Sequence, residues 1–376
     1  MADTQVITQL NKTVWSTDLF FEALEGNWFA KAGLMGEGTN NIVELKSDLK
    51  KEQGEKVRFG LVYNLEGEGV EGDYMLEENE EDIKTSYFDV LVDLKRNAVR
   101  SKGKLADQKA AVNLRKQFKS SLSGWMQDIA ITRQIFLKLG GVQNLTLKNV
   151  NGKAYSASAK WSNTPNPVPT SDILAGKGKR YLNSVEGALA SITAADVITP
   201  GMINVLKSMA ELAEPKILPL EVEGGKYYVL LVHPYQFAEL KTNAIILDGF
   251  KYAADRGKNN PIFAGGDTFH YDGVIVKSHP FVPYLNPADL ANKNFEDIAD
   301  EQSQAATPIA RAIFCGRQAA AFAQCKNSEG WEEKGFDYGN KQGVATGLLG
   351  GIAKTHFDGV DFGVIVLDTA VNAPKA

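Results

Sequence analysis

Two runs in the first third of the chain alternate apolar and polar residues. Val57, Phe59, Leu61 and Tyr63 alternate with Arg58, Gly60 and Asn64, and Phe88, Val90, Val92 and Leu94 alternate with Asp89, Asp93 and Lys95. Period two predicts a pair of half-buried β-strands. The segment between them is long and punctuated by glycine, so it is expected to project outward rather than sit inside a compact domain. After Gly103 the period changes. Leu114, Phe118, Leu122, Trp125, Ile129, Thr132, Phe136 and Leu139 recur three or four apart, which predicts one long helix with a single continuous apolar face. Gly140-Gly141 is the expected stop.

Further along, the text alternates. Residues 151–180 are rich in Gly, Ser and Lys and carry Pro165, Pro167 and Pro169, so they read as loop, a surface insertion or a domain junction. Thr199-Pro200 opens a helix to about Ala213, with Pro at the first helical position. Tyr227 to Val232 reads as a buried strand, His233-Pro234 as a helix start, Gly273 to Lys277 as a strand, and Phe362 to Leu367 as a closing strand. Thr307-Pro308 is expected to cap a helix running to about Gln324. That helix would carry Cys315, with Cys325 at its end, ten residues and about 15 Å apart, too far for a disulfide. Strands interleaved with helices give an α+β expectation. Residues 1–40, broken by Gly26, Gly33, Gly36 and Gly38, read as an arm that packs on another body, a neighbouring subunit being one.

Charge changes this picture more than composition does. At 376 residues, 44% hydrophobic and net charge −5, the chain reads as a soluble intracellular protein of two to three domains, with no general attraction for nucleic acid or membrane. Its charge, however, is sorted. Glu66, Glu68, Glu71, Asp73, Glu77, Glu78, Glu80, Glu81 and Asp82 form an acidic block without Lys or Arg. Lys95, Arg96, Arg100, Lys102, Lys104, Lys109, Arg115, Lys116 and Lys119 form a basic block containing one acid, Asp107. The blocks nearly cancel, so solubility does not explain them. An acidic projecting loop beside a basic helix is what a self-associating subunit needs, and these eighteen residues are the candidate subunit-interface positions.

Chemistry finds no comparable constellation. Gly67-Glu68-Gly69-Val70-Glu71-Gly72 matches the dinucleotide spacing, but Glu68 and Glu71 would face a pyrophosphate, so a hairpin turn is the better reading. The acids lack the frame of a calcium loop. His233, His270, His279 and His356 lack zinc-site spacing, and no nucleophile elbow or phosphate-binding loop is present. Neither catalysis, a cofactor nor a metal is expected.

Several segments together resemble the major capsid protein family of podophage-type tailed phages. They are Glu44-Leu45 through Gly54, Val57-Arg58-Phe59, Gly67 through Asp73, Leu76 with Glu80-Glu81, Tyr227 through Pro234, Asn260 through Phe263, Gly273-Val274-Ile275, Ala310 through Phe314 with Gly316 and Gln318-Ala319, and Phe357 through Ala370. The resemblance implies the Johnson fold of tailed-phage and herpesvirus shells. It would comprise an N-terminal arm (1–40), an extended loop with its strands (41–100) and a peripheral domain with a spine helix (101–189). An axial domain (190–350) and a strand returning to the peripheral domain (351–376) would complete it. It further implies assembly into hexamers and pentamers in the host cytoplasm, a place in the virion shell, and portal, scaffolding and cement proteins as partners. Double-stranded DNA would be enclosed without being specifically bound. The alternatives are an encapsulin-like compartment shell of the same fold and, from another class, an enzyme with a site outside these motifs.

Overall fold

In the computed structural model, residues 26–46, 54–62, 70–72, 75, 77, 80–83, 85–109, 114–142, 144–148, 154–158, 180–183, 191–222, 224–247, 268–286, 306–325, 330–338 and 340–372 are described. Two sheets organise them. The first runs β1 (Met35–Gly36), β2 (Val43–Lys46), β15 (Ala320–Gln324), β17 (Lys341–Lys354) and β16 (Gly330–Phe336), with β5 (Asp93–Arg100) also pairing β17. The second runs β11 (Thr268–Tyr271), β12 (Val274–Ser278), β10 (Gly225–Val232), β14 (Ile309–Cys315), β20 (Val364–Ala370) and β8 (Tyr181–Asn183). Short strands β9 (Leu220–Val222) and β13 (Tyr284–Leu285) pair β10 and β14.

The long helical pattern packs against the first sheet, but not as one continuous face. Helix Leu114–Trp125 passes through a wider π turn, Met126–Thr132, into helix Arg133–Leu139. Arg133 N donates to Asp128 O, and Thr132 Oγ1 donates to Gln127 O at 2.7 Å, both five residues back. The wider turn rotates the buried stripe to Leu122, Met126, Ala130, Ile135 and Leu139, leaving Trp125 and Ile129 half-buried. Gly141, at φ +66°, closes the helix as expected of a residue beyond a helix end.

Other expectations hold locally. Helix Pro200–Leu212 follows Thr199, and helix Pro234–Thr242 starts from His233, whose Nδ1 accepts from Tyr235 N while Gln236 Oε1 accepts from His233 N. Both helices lie with the second sheet around Ile203, Leu206, Ala210, Leu230, Val232, Leu240, Phe314 and Ile365.

Four readings are corrected. The expected Thr307–Gln324 helix is two strands, β14 and β15, separated by a turn in which Gln318 has φ +53°. All seven residues of β14 are buried because it lies between β10 and β20, so its apolar run has no alternation to betray a strand. Cys315 therefore ends β14 and Cys325 follows β15; both are buried, free thiols, and burial pushes the Cys315 thiol well up. Within the expected arm, Phe29 is fully buried in the chain's own core, its ring 5.0 Å from that of Phe136, so residues 28–36 pack at home; residues 1–25 lie outside the described residues. Residues 151–180 are not all loop, since β7 (Ala154–Ser158) pairs with β6 (Asn144–Lys148); residues 151–153 and 159–179 lie outside the described residues. Finally, the second alternating run supplies two strands: β4 (Thr85–Leu91) pairs with β3 (Lys56–Val62), and β5 joins β17.

Candidate subunit-contact surface

The β3–β4 hairpin is built on a clean two-faced register. Val57 opposes Val90, Phe59 opposes Phe88 and Leu61 opposes Ser86 on one face; Arg58 opposes Asp89 and Gly60 opposes Tyr87 on the other. Val57, Phe59 and Val90 are buried against Ala321, Ala323 and Ala353 of the first sheet. This floor has no bulk to spare: a Cβ on Gly351 would collide with Leu91 O and lie 2.9 Å from Val90 Cγ1. On the outer face Asp89 gathers two cations, Lys56 Nζ at 2.6 Å and Arg58 Nε at 2.7 Å, and Arg58 lies 4.0 Å over the Tyr87 ring. The hydrogen bond from Arg58, then that from Lys56, holds the Asp89 carboxyl well below the usual carboxylate range.

A second support is the turn between β18 (His356–Phe357) and β19 (Val360–Asp361). Ser86 Oγ donates to Asp358 Oδ1 at 2.9 Å, and the Phe88 ring meets Phe357 edge-on at 5.2 Å. The turn is anchored underneath by Asp361, fully buried, which takes Lys354 Nζ at 2.8 Å and His356 Nδ1 at 3.0 Å on separate oxygens. The base of the hairpin is thus clamped to its own body.

Its far end is not. Glu71, Glu77, Glu80, Glu81 and Asp82 are exposed there, together with Met75 (69%), Ile83 (64%) and Val62 (64%). Glu66, Glu68, Asp73 and Glu78 lie outside the described residues, as do Tyr63 and Asn64. The exposed apolar residues were missed by the charge argument. Their signal is an apolar side chain on the polar phase of the alternation, as at Val62, or inside the acidic run, as at Met75 and Ile83.

The basic block does not form one rod. Lys95, Arg96 and Arg100 stand on β5, whose side chains alternate, so the block is divided by the pleat. Lys95 turns inward toward the helix layer, where burial and then the nearby Arg133 charge push its ammonium down to about 8. Arg96 and Arg100 point out into solvent. Opposite them β17 carries Gly343, Ala345 and Gly347, giving a low floor; a Cβ on Gly347 would meet Arg96 Cγ at 3.1 Å. Arg100 lies 5.6 Å from the Phe336 ring. Lys102 and Lys104 are exposed just beyond the strand. Lys109, Arg115 and Lys116 have described helical backbone only, and Lys119 is half-buried. Among the residues whose side chains are described, the exposed cations of the basic block stand on or beside an open sheet face, with the helix covering the opposite face. Among the described residues no group of His, Cys, Asp and Glu is arranged to hold a metal.

Known proteins carry the same plan. The sequence model of a phage capsid protein family matches residues 3–373. The major capsid protein of Pseudomonas phage KPP25 is 28% identical, covering 96% of this chain and 95% of that one. The capsid of Ralstonia phage GP4 superposes with a TM-score of 0.73 at 28% identity, covering 93% of this chain and 92% of that one. The capsid of cyanophage Pam1 shares the fold at 22% identity, with a TM-score of 0.66 over 90% of this chain and 91% of that one.

Proposed function

Because this chain belongs to the phage capsid protein family, and is accordingly a structural subunit of a phage shell, we propose that its copies join into hexamers and pentamers. In this arrangement the acidic end of one β3–β4 hairpin lies on the open β5–β17 face of the next copy. The observation that carries this reading is the division of the hairpin into a base seated on its own sheet and an exposed acidic, apolar end. Arg96, Arg100, Lys102 and Lys104 are the exposed cations that meet it. The helix, to which the charge pattern first pointed, is largely taken up by its own core from Leu122 onward. Exposed ion pairs contribute roughly 0–1 kcal/mol each, so they set partner and register, while Val62, Met75 and Ile83 supply buried apolar area.

The shell encloses double-stranded DNA without gripping it. Each phosphate contact would add salt-dependent affinity, and a chain of net charge −5 offers few. The second sheet, with helices Pro200–Leu212 and Pro234–Thr242, takes the place around the symmetry axes. The test is to purify the full chain alone and follow particle formation by sedimentation and negative-stain microscopy. Closed shells are expected. A chain that stays monomeric or dimeric at every salt and protein concentration overturns the reading.

A further inference from the structure

The β18–β19 turn that supports the hairpin is tied in two directions. On its outer side, Asp358 and Gly359 form a two-residue tip between the paired Phe357 and Val360, both at positive φ (+48° and +84°). Asp358 Oδ1 accepts from Ser86 Oγ at 2.9 Å, and aromatic rings continue the contact into the hairpin. Phe362 meets Phe357 edge-on at 5.5 Å, Phe357 meets Phe88, and Phe88 stacks on Phe59 at 5.1 Å. On its inner side the turn rests on Arg180, which is fully buried. Arg180 Nε donates to Asp361 O at 2.7 Å, and Nη2 donates to Pro215 O at 3.0 Å. Burial lowers the guanidinium to about 10, with the Asp361 charge opposing, so it stays a cation at neutral pH.

Arg180 itself is anchored in the second sheet. Its carbonyl accepts from Val366 N of β20, and β8, starting at the next residue, pairs β20 in parallel. Pro215 lies just beyond helix Pro200–Leu212. One planar fork therefore holds the helix layer of the second sheet and the support of the hairpin together, at a fixed angle between its donors. Asp361 stiffens the other side, because its carboxylate is taken by Lys354 Nζ and His356 Nδ1 while its carbonyl takes Arg180. Burying a guanidinium costs free energy that an apolar side chain of similar volume would not. What the cation adds is direction. We infer that Arg180 is a positioning residue for the hairpin, setting the angle of β3–β4 against the second sheet through Asp361 and the Asp358 tip. This role rests on the shell reading above for its purpose, since a hairpin that reaches the next copy must leave its own body at one angle.

The test reads amide exchange on the full chain, kept as free subunit. Arg180→Met should raise exchange across Lys56–Val62 and Thr85–Leu91 about tenfold more than across β14 and β20, as expected for one lost hydrogen bond from a charged donor. Arg311→Met is the control: this comparably buried arginine is anchored on Asp368 of β20, and its loss should open β14 and β20 at least as much as the hairpin. Arg180→Lys keeps the cation without the fork and should give the Arg180→Met pattern at smaller amplitude, so the result does not depend on the methionine variant folding. Ser86→Ala cuts the path at its outer end. Combined with Arg180→Met it should raise hairpin exchange by less than the product of the two single effects, because the two bonds lie in series. Hairpin exchange that only follows β14 and β20 in both position-180 variants, or single effects that multiply in full, would overturn the assignment. Either result leaves the shell reading standing, and a parent chain that never assembles leaves the role of Arg180 within the subunit standing.

Discussion

Arg311 and Asp368 face each other directly across β14 and β20, their side chains 2% and 0% exposed, joined by bonds of 2.9 Å from Nε and 2.8 Å from Nη2. Asp368 also accepts from Tyr181 Oη, and Arg311 Nη1 donates to Gly140 O at the end of the long helix. One buried pair therefore ties both halves of the fold. Breaking it from one side strands a charge in the core. Arg311→Met should cost about 3–5 kcal/mol in urea unfolding of the subunit. Arg311→Met with Asp368→Leu should recover most of that, though not all, because Tyr181 Oη and Gly140 O each lose a partner. Equal loss in single and double variants would show that packing, not the stranded carboxylate, governs the site.

Acid should loosen the subunit through two histidines. His233 and His279 are pushed down to about 4 by burial, and each uses Nδ1 as an acceptor, from Tyr235 N and Phe281 N respectively. A folded pKa below the unfolded value of about 6.5 means that the neutral form is favoured in the fold. The stability this confers is complete above about pH 6.5 and is lost as pH falls toward 4. With partial exposure discounted, each contributes on the order of 1–2 kcal/mol. Urea midpoints measured from pH 7.5 to 4.5 should fall. His279→Asn, which keeps the acceptor without the charge, should flatten part of that slope.

How much of this was legible in the sequence follows from where partners lie. The hairpin was readable because Val57, Phe59, Phe88 and Val90 alternate against polar neighbours. The Thr199-Pro200 and His233-Pro234 helix starts were readable because their signals are local. The strand Ile309–Cys315 was not, since burial on both faces removes the alternation and its one charge, Arg311, is answered 57 residues away by Asp368. The π turn was hidden for a different reason: a single wide turn shifts the helix phase without changing composition. The acidic excursion and the basic block were visible as charge, but the block's division between Lys95 inside and Arg96 and Arg100 outside is set by the pleat of β5.

The hairpin's seat makes Gly351 a sensitive position. Gly351→Val would drive side-chain atoms into Leu91 O and Val90, and overpacking of this kind costs roughly 1–3 kcal/mol. The expected outcome is a lifted hairpin on an otherwise intact body. Amide exchange should rise across Lys56–Val62 and Thr85–Leu91 while β14 and β20 stay protected. Uniformly raised exchange would mean that the glycine supports the whole sheet rather than the hairpin alone.

The proposed electrostatic seam can be tested by inversion, and ring geometry sharpens the result. Reversing Glu71, Glu77, Glu80, Glu81 and Asp82 to Lys leaves six cations, Lys84 included, against four remaining acids in the excursion. Reversing Arg96, Arg100, Lys102 and Lys104 to Glu inverts the receiving face. Either set alone places like charges together at every contact and should block assembly, most completely at low salt, where the screening length exceeds about 10 Å. A chain carrying both sets restores opposite signs at every contact and should again close shells. Mixing the two single-set chains has a different outcome. Each satisfies only the other, so neighbours must alternate, which an even ring permits and a ring of five forbids. The mixture should yield hexamers, sheets or tubes in the microscope and no closed particles. Closed shells from the mixture, or a folded doubly inverted chain that never assembles, would show that these charges do not set the contact.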